Sequence, residues 1–291
     1  MILKTSQLTK DFGGNKGVFD LTLELNPGEI VGFLGPNGVG KSTTLGMLSG
    51  LIIPSKGSFE VFDQPVNHLK LHRFNPNIGI LMSDVAFDPD LKVKQIFKQS
   101  QDLLGKKLDK TWQDLAKYLD LDLEKKFSSL SLGNKKKVGL VQAIMHKPKL
   151  LIMDEPTSGL DPLIQQKFQS LVSQMAKNGT GVILSSHALT EVESICTRII
   201  MIKNGKIILQ DATKNIKEQA LKIFILPAVT PLIEANLKLL DGVVKIQTGP
   251  NETKLWTTKR APVLLYLSQR AITEFYLERA TLEEMFLQFY R

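Results

Sequence analysis

Cysteine is almost missing from this chain: Cys196 is the single thiol in 291 residues. One thiol excludes an internal disulfide framework and a zinc site of clustered cysteines, and it suits a reducing compartment. Long apolar runs are missing too. No stretch approaches eighteen uninterrupted apolar residues, and the opening "MILKTSQLTKDF" has no apolar segment of the kind an export signal carries. We therefore expect a chain that neither spans a membrane nor is exported. With 43% hydrophobic and 23% charged residues, the composition excludes a disordered tail and matches an ordinary soluble globular protein. The length suits about two domains. A net charge of +8 would suit nucleic acid, anionic lipid or nucleotide, but the lysines are scattered along the chain, as in a soluble basic enzyme. No nucleic-acid partner is expected.

What is present is more specific. Residues 33 to 45 read "FLGPNGVGKSTTL". Closely spaced glycines make a poor element interior, because each loses more backbone freedom on ordering than any other residue. Something here requires bare backbone. Gly35, Gly40, Lys41 and Ser42 satisfy G-x-x-x-x-G-K-[ST], with "EIVGFL" before them reading as a buried strand and "STTLGMLSGL" after them as a helix start. Pro36, Asn37 and Gly38 complete a loop whose N–H groups turn inward as an anion nest, backed by the positive end of the helix. Phosphate fits such a cup. Lys41 would reach the β- and γ-phosphates of ATP, Ser42 would take one position on Mg²⁺, and Thr43 belongs to the same nucleotide-binding set.

The first segment reads as strands "MILKTSQLTKDF" and "VFDLTLEL", a turn at "NPGE", and the strand that feeds the glycine loop. From about Arg73 to Lys137 we expect a helical insert: a short apolar run "IGILM", then helical periodicity through "KQIFKQSQDLL" and "KTWQDLAKYLDL". "KLLIMDEP" and "GVILSSH" have the apolar character of strands covered on both faces in a parallel sheet. "RIIMIKNGKIIL" reads as a hairpin with a type I′ turn at Asn204-Gly205. A first domain would thus span 1–211. The remainder, 212–291, reads βαββαβ, the order of a split-βαβ, ferredoxin-like unit, ending in a helix opened by a capping box of Thr281 and Glu284. Such a unit can bind a regulator, brace a dimer or simply pack. The fold class is α/β: a mostly parallel core with antiparallel and helical subdomains, plus a small α+β domain.

An apolar strand ending in Asp154 suits an Mg²⁺-phosphate site, since the carboxylate can hold the metal's water shell. Glu155, pointing the other way, can polarise an attacking water as general base. His187, at the end of the next apolar strand, reads as a γ-phosphate sensor and completes a catalytic set with Glu155 and Lys41.

Four segments in order, "GPNGVGKST", "SLSLGNKKK", "LLIMDEPTSGLD" and "SSH", closely resemble the nucleotide-binding subunit of ABC transporters. The resemblance covers about Met1 to Asp211 and implies a P-loop NTPase of ABC type. It also implies a two-fold dimer in which each ATP lies between the phosphate loop of one subunit and the signature loop of the other. By position, Phe12 resembles the aromatic that stacks on adenine. Ser131, Gly133 and Asn134 belong to the signature, where Leu132 replaces the family's glycine and Asn134 its glutamine. Asp161 matches the acid of the loop that crosses the dimer interface. Ser83 stands where the family carries a glutamine, or in export members often a glutamate. Serine is too short for that contact to Mg²⁺ and water, so either Asp84 substitutes or the contact is weak. Lys135, Lys136 and Lys137 read as a solvated helix face.

The resemblance implies an ATP-hydrolysing subunit that drives a separate membrane-spanning permease. Its expected location is cytoplasmic, peripheral on the inner face of the membrane. The C-terminal "TLEEMFLQFY" resembles the ending of drug- and antibiotic-exporting members and favours export. A full motif set favours a homodimer over a heterodimer. Two other readings stay open: a soluble ABC ATPase acting on ribosomes or DNA, whose usual second cassette, coiled coil or zinc module is not visible, and a regulatory module that binds ATP without turnover. Glu155 and His187 argue against the latter.

Overall fold

The computed structural model describes residues 1–66, 76–105, 108, 111–219 and 221–279. Its contacts divide the chain into two compact units, Met1–Ala212 and Thr213–Arg291.

In the first unit, β1 (Leu3–Asp11) pairs antiparallel with β2 (Gly17–Leu25) and with β4 (Lys56–Val61), and the two-residue β5 (Gln64–Pro65) closes a sheet of order β2-β1-β4-β5. Strand β2 shows why the sequence chooses this form. Leu21, Leu23 and Leu25 point inward while Asp20, Thr22 and Glu24 face solvent, the two-residue period of a half-buried strand.

The second sheet has the order β10-β9-β3-β8-β7-β6. It comprises β3 (Ile30–Leu34), β6 (Ile78–Leu81), β7 (Leu150–Asp154), β8 (Gly181–Ser186), β9 (Arg198–Lys203) and β10 (Lys206–Ala212). All neighbours run parallel except the β9–β10 hairpin, whose turn residues Asn204 and Gly205 have φ of 50° and 72°. Strands β3, β7 and β8 are buried from end to end, which explains their unbroken apolar character. Phe33, Leu45, Ile152 and Ile183 share one core with Leu8, Leu21, Leu23 and Phe59 of the antiparallel sheet. Each such fully buried side chain contributes about 1.5–3 kcal/mol.

The helices of this unit are α1 (Lys41–Leu48), α2 (Val93–Leu103), α3 (Thr111–Tyr118), α4 (Leu132–Ile144), α5 (Pro162–Lys177) and α6 (Leu189–Ile195). The run "IGILM" lies within the span expected to be a helical insert, yet Ile78–Leu81 is the edge strand of the parallel sheet. Among the described residues after this strand, α-helix begins at Val93. Parallel pairing has a direct consequence for function. Leu34 is level with Ser186, Asp154 with Ser185 and Leu81 with Met153, so the chain leaves four strands at one edge. Ligands of open parallel sheets bind at that carboxyl edge.

The second unit opens with α7 (Thr213–Gln219). It continues through β11 (Lys222–Pro227), α8 (Pro231–Lys238), β12 (Val243–Thr248), β13 (Glu252–Thr257), α9 (Arg260–Gln269) and β14 (Tyr276–Arg279). The sheet order is β12-β13-β11-β14, antiparallel throughout. Phe224, Leu226 and Leu255 on one face pack with Leu237 of α8 and with Val263 and Leu267 of α9. The capping box expected at Thr281 and Glu284 lies outside the described residues.

Candidate active site

Strand β3 delivers Gly35 to the sheet edge, and the loop returns as α1. Gly40, which precedes the helix, has φ 111°, and a Cβ there would lie 2.7 Å from Cγ2 of Val18. Both facts require glycine. Helix α1 has neither a capping side chain nor an acidic residue in its first turn, so its leading N–H groups face outward with the dipole's positive end. Lys41 is only 5% exposed. Its Nζ donates to the carbonyl oxygens of Gly35 (2.6 Å) and Pro36 (3.2 Å) and lies 3.6 Å from Oε1 of Glu155. Asn37, Gly38, Ser42 and Thr43 join Lys41, Ser83 and Glu155 around a cavity of about 300 Å³.

A second cavity of about 950 Å³ shares Gly38, Gly40 and Thr43 with the first and extends to Phe12 and the Asn204-Gly205 turn. Phe12 follows β1 and is 58% exposed, with Lys10 Nζ 5.3 Å from its ring centroid. An exposed aromatic face beside a phosphate loop can stack on a planar ring.

Asp154 is fully buried at the tip of β7. A buried carboxylate needs donors. Oδ1 accepts from Ser185 Oγ at 2.5 Å and Oδ2 from Ser83 Oγ at 2.7 Å. Ser185 also accepts from the Glu155 N–H at 2.9 Å, so one hydroxyl orients both acids. Glu155 itself has φ 47°, a left-handed conformation that costs a glutamate on the order of 1–3 kcal/mol. Its Oε2 lies 2.7 Å from Nδ1 of His187, which follows β8 with its side chain 62% exposed. Lys41, Glu155 and His187 therefore form one connected set. Asp84 is exposed and does not line the phosphate cavity, whereas Ser83 does.

The signature residues sit elsewhere. Ser131 caps α4, its side chain accepting from the Asn134 N–H at 3.4 Å. A Cβ on Gly133 would stand 2.7 Å from the Gly159 carbonyl oxygen, and Leu132 is 76% exposed. Asp161 caps α5 by accepting from the Ile164 N–H at 3.0 Å. None of Ser131, Gly133, Asn134 and Asp161 lines either cavity.

The reading of Lys135–Lys137 as a solvated face is corrected here. Lys136 and Lys137 are buried, at 5% and 8% exposure. Each lies one turn before the buried Leu140, with Lys137 also four residues before Val141, so the core stripe of α4 extends back onto them. Lys136 Nζ reaches the carbonyl oxygens of Ser83 (3.2 Å), Asp154 (3.3 Å) and Met82 (3.5 Å). Burial pushes its ammonium below the ordinary lysine range, opposed by the carboxylates of Asp154, Glu155 and Asp84. Ser185 and Glu191 are the other groups that sequence reasoning missed. Glu191 is buried, accepts from Ser186 Oγ at 2.7 Å, and has its carboxyl pushed above the usual range by burial against hydrogen bonds from Ser186 and Thr157. For Ser185 the available signal was a hydroxyl in an otherwise apolar strand, and for Glu191 a position one turn before the buried Ile195.

A phosphate loop after β3, an acid pair at the end of β7 and a histidine after β8, all at the carboxyl edge of a parallel sheet, define a P-loop NTPase. Comparisons narrow the class. Residues 18–158 match the family described as ABC transporter. The chain is 30% identical to the ABC transporter ATP-binding protein YhaQ of Bacillus subtilis (strain 168), covering 99% of this chain and 98% of that one. It is 33% identical to the bacitracin transport ATP-binding protein BcrA of Bacillus licheniformis, over 75% of this chain and 72% of the relative. The fold resembles a solved ATP-binding subunit of an ABC transporter at a TM-score of 0.70 and 24% identity, over 75% of this chain and 93% of that structure. The chain belongs to the ATP-binding proteins of ABC transporters, a family of ATPases.

Proposed function

We propose that two copies of this chain hold MgATP between the phosphate loop of one and the signature of the other, and that hydrolysis drives a separate membrane-spanning permease. The observation that carries this reading is the Lys41–Glu155–His187 set at the edge of the phosphate cavity. Lys41 exchanges its loop carbonyls for the β- and γ-phosphate oxygens of ATP. Glu155 accepts the proton of the attacking water. With the Nδ1 proton directed at Glu155, Nε2 of His187 is left to meet the γ-phosphate.

The groups around Ser42 fit a magnesium ion, because hydroxyl and carboxylate oxygens are the hard donors it prefers. Ser42 would ligate it directly. Each Asp154 oxygen has one hydroxyl partner and keeps acceptor capacity for a water of the metal's shell. The ion would neutralise charge developing on the phosphate oxygens.

Phe12 stacks on the adenine. Ser131 and the Gly133 amide contact the γ-phosphate held by the partner copy, with Asn134 beside them and Asp161 at the crossing of the two copies. This division is supported by the placement of all four outside the two cavities at the phosphate loop. One chain carries both halves, which favours a homodimer. No helix among the described residues is long and apolar enough to cross a membrane. The permease would therefore be the membrane anchor, holding the chain on the cytoplasmic face. Similarity to a bacitracin transport protein and to a linearmycin resistance protein supports the reading of export.

The test is a tagged pull-down from detergent-solubilised membranes and, separately, from the soluble fraction, read by mass spectrometry. A co-purifying polytopic membrane protein is expected. Recovery of ribosomal or DNA-bound partners alone would contradict the permease reading.

A further inference from the structure

The Lys136 ammonium has three N–H donors and meets three main-chain carbonyls, those of Met82, Ser83 and Asp154, at 3.5, 3.2 and 3.3 Å. They belong to two neighbouring strand tips: Met82 and Ser83 follow β6, and Asp154 ends β7. The lysine belongs to neither. It rides on α4, five residues after Ser131, the residue that caps that helix. One buried cation therefore joins the helix bearing the signature to both segments that flank the phosphate cavity. Its charge also stands among the carboxylates of Asp154, Glu155 and Asp84, which would otherwise repel one another at that corner.

We propose that Lys136 is a positioning residue for ATP hydrolysis, clamping the signature helix to the strand tips that carry Ser83 and Asp154 so that these groups shift as one body. The proposal rests on the ATPase reading and adds a residue that does not line the phosphate cavity. It accounts for the short side chain at position 83. Ser83 is held against Asp154 by its own hydroxyl and, through its carbonyl, by Lys136, so its placement does not depend on a long side chain.

The test compares Lys136→Met and Lys136→Gln with the parent full-length chain. It reads kcat and KM for MgATP, ATP affinity on the Glu155→Gln background, and the thermal midpoint without nucleotide. Lys136→Met is expected to lose about tenfold or more in kcat, as a displaced catalytic group does. Lys136→Gln, which keeps two N–H donors, is expected to lose less. Affinity should stay within about twofold in both, because the phosphate loop is untouched. Should the methionine variant not fold, the glutamine variant decides by the same criteria. Parent-like kcat in the folded variants would overturn the proposal, and so would a loss of kcat and affinity together in proportion to unfolded protein. A parent chain that hydrolyses no ATP would instead remove the ATPase reading, and the proposal with it.

Discussion

Glu155 is the residue on which most constraints converge: a left-handed backbone, a hydroxyl on its amide, and Lys41 and His187 on its two oxygens. Glu155→Gln keeps the shape and removes the base, so turnover should fall by about 10²–10⁴-fold while ATP still binds. Single-turnover assays check this, and hydrolysis at the parent rate would remove Glu155 from its role. Glu191 gives a different kind of prediction. Its carboxyl sits above the ordinary value of 4.5, chiefly through burial. A raised carboxyl binds its proton more tightly in the folded chain than in the unfolded one. Its contribution is therefore complete below 4.5 and is lost as pH rises through the folded value. Urea titrations across that range should show the parent losing stability relative to Glu191→Gln as pH rises; parallel curves would contradict the assignment. The acid pair Asp154-Glu155 was legible because the proposed chemistry fixes its place at a strand end. Lys136 was not, because its charge suggested water while its helical position pointed into the core.

At the scale of elements, Asp161 has an observed role and a proposed one to separate. It caps α5, and Pro162 follows at the first helical position, a start signal visible in the sequence. Asp161→Ala should cost about 1 kcal/mol of stability, whereas Asp161→Asn, an equally good cap, should cost almost nothing. Chemical denaturation reads both, and equal losses would show that the cap is not what holds the helix start. ATPase activity lost in a stable Asp161→Asn would then belong to the interface role. The β9–β10 hairpin was readable from Asn204-Gly205 alone, since few residues accept two successive positive φ values. The edge strand at Ile78–Leu81 was harder. Four apolar residues carry no period of their own, and only pairing with β7 decides between helix and strand.

At the scale of the molecule, parallel topology gathers Ser83, Asp154, Glu155 and His187 at one sheet edge with the phosphate loop, although they are spread over a hundred residues of sequence. Motif order made that site legible from sequence. What sequence could not supply was the connection between its parts: the Ser185 bridge, the Ser83–Asp154 contact and the Lys136 hydrogen bonds exist only in three dimensions. The signature residues line neither of the two cavities at the phosphate loop, and the proposed site is shared between two copies. The most direct measurement is light scattering on Glu155→Gln with MgATP. The expected result is the mass of a dimer with MgATP and of a monomer without it, and no such shift when Lys41→Ala is added. A Glu155→Gln chain that binds ATP tightly and stays monomeric would contradict the shared site.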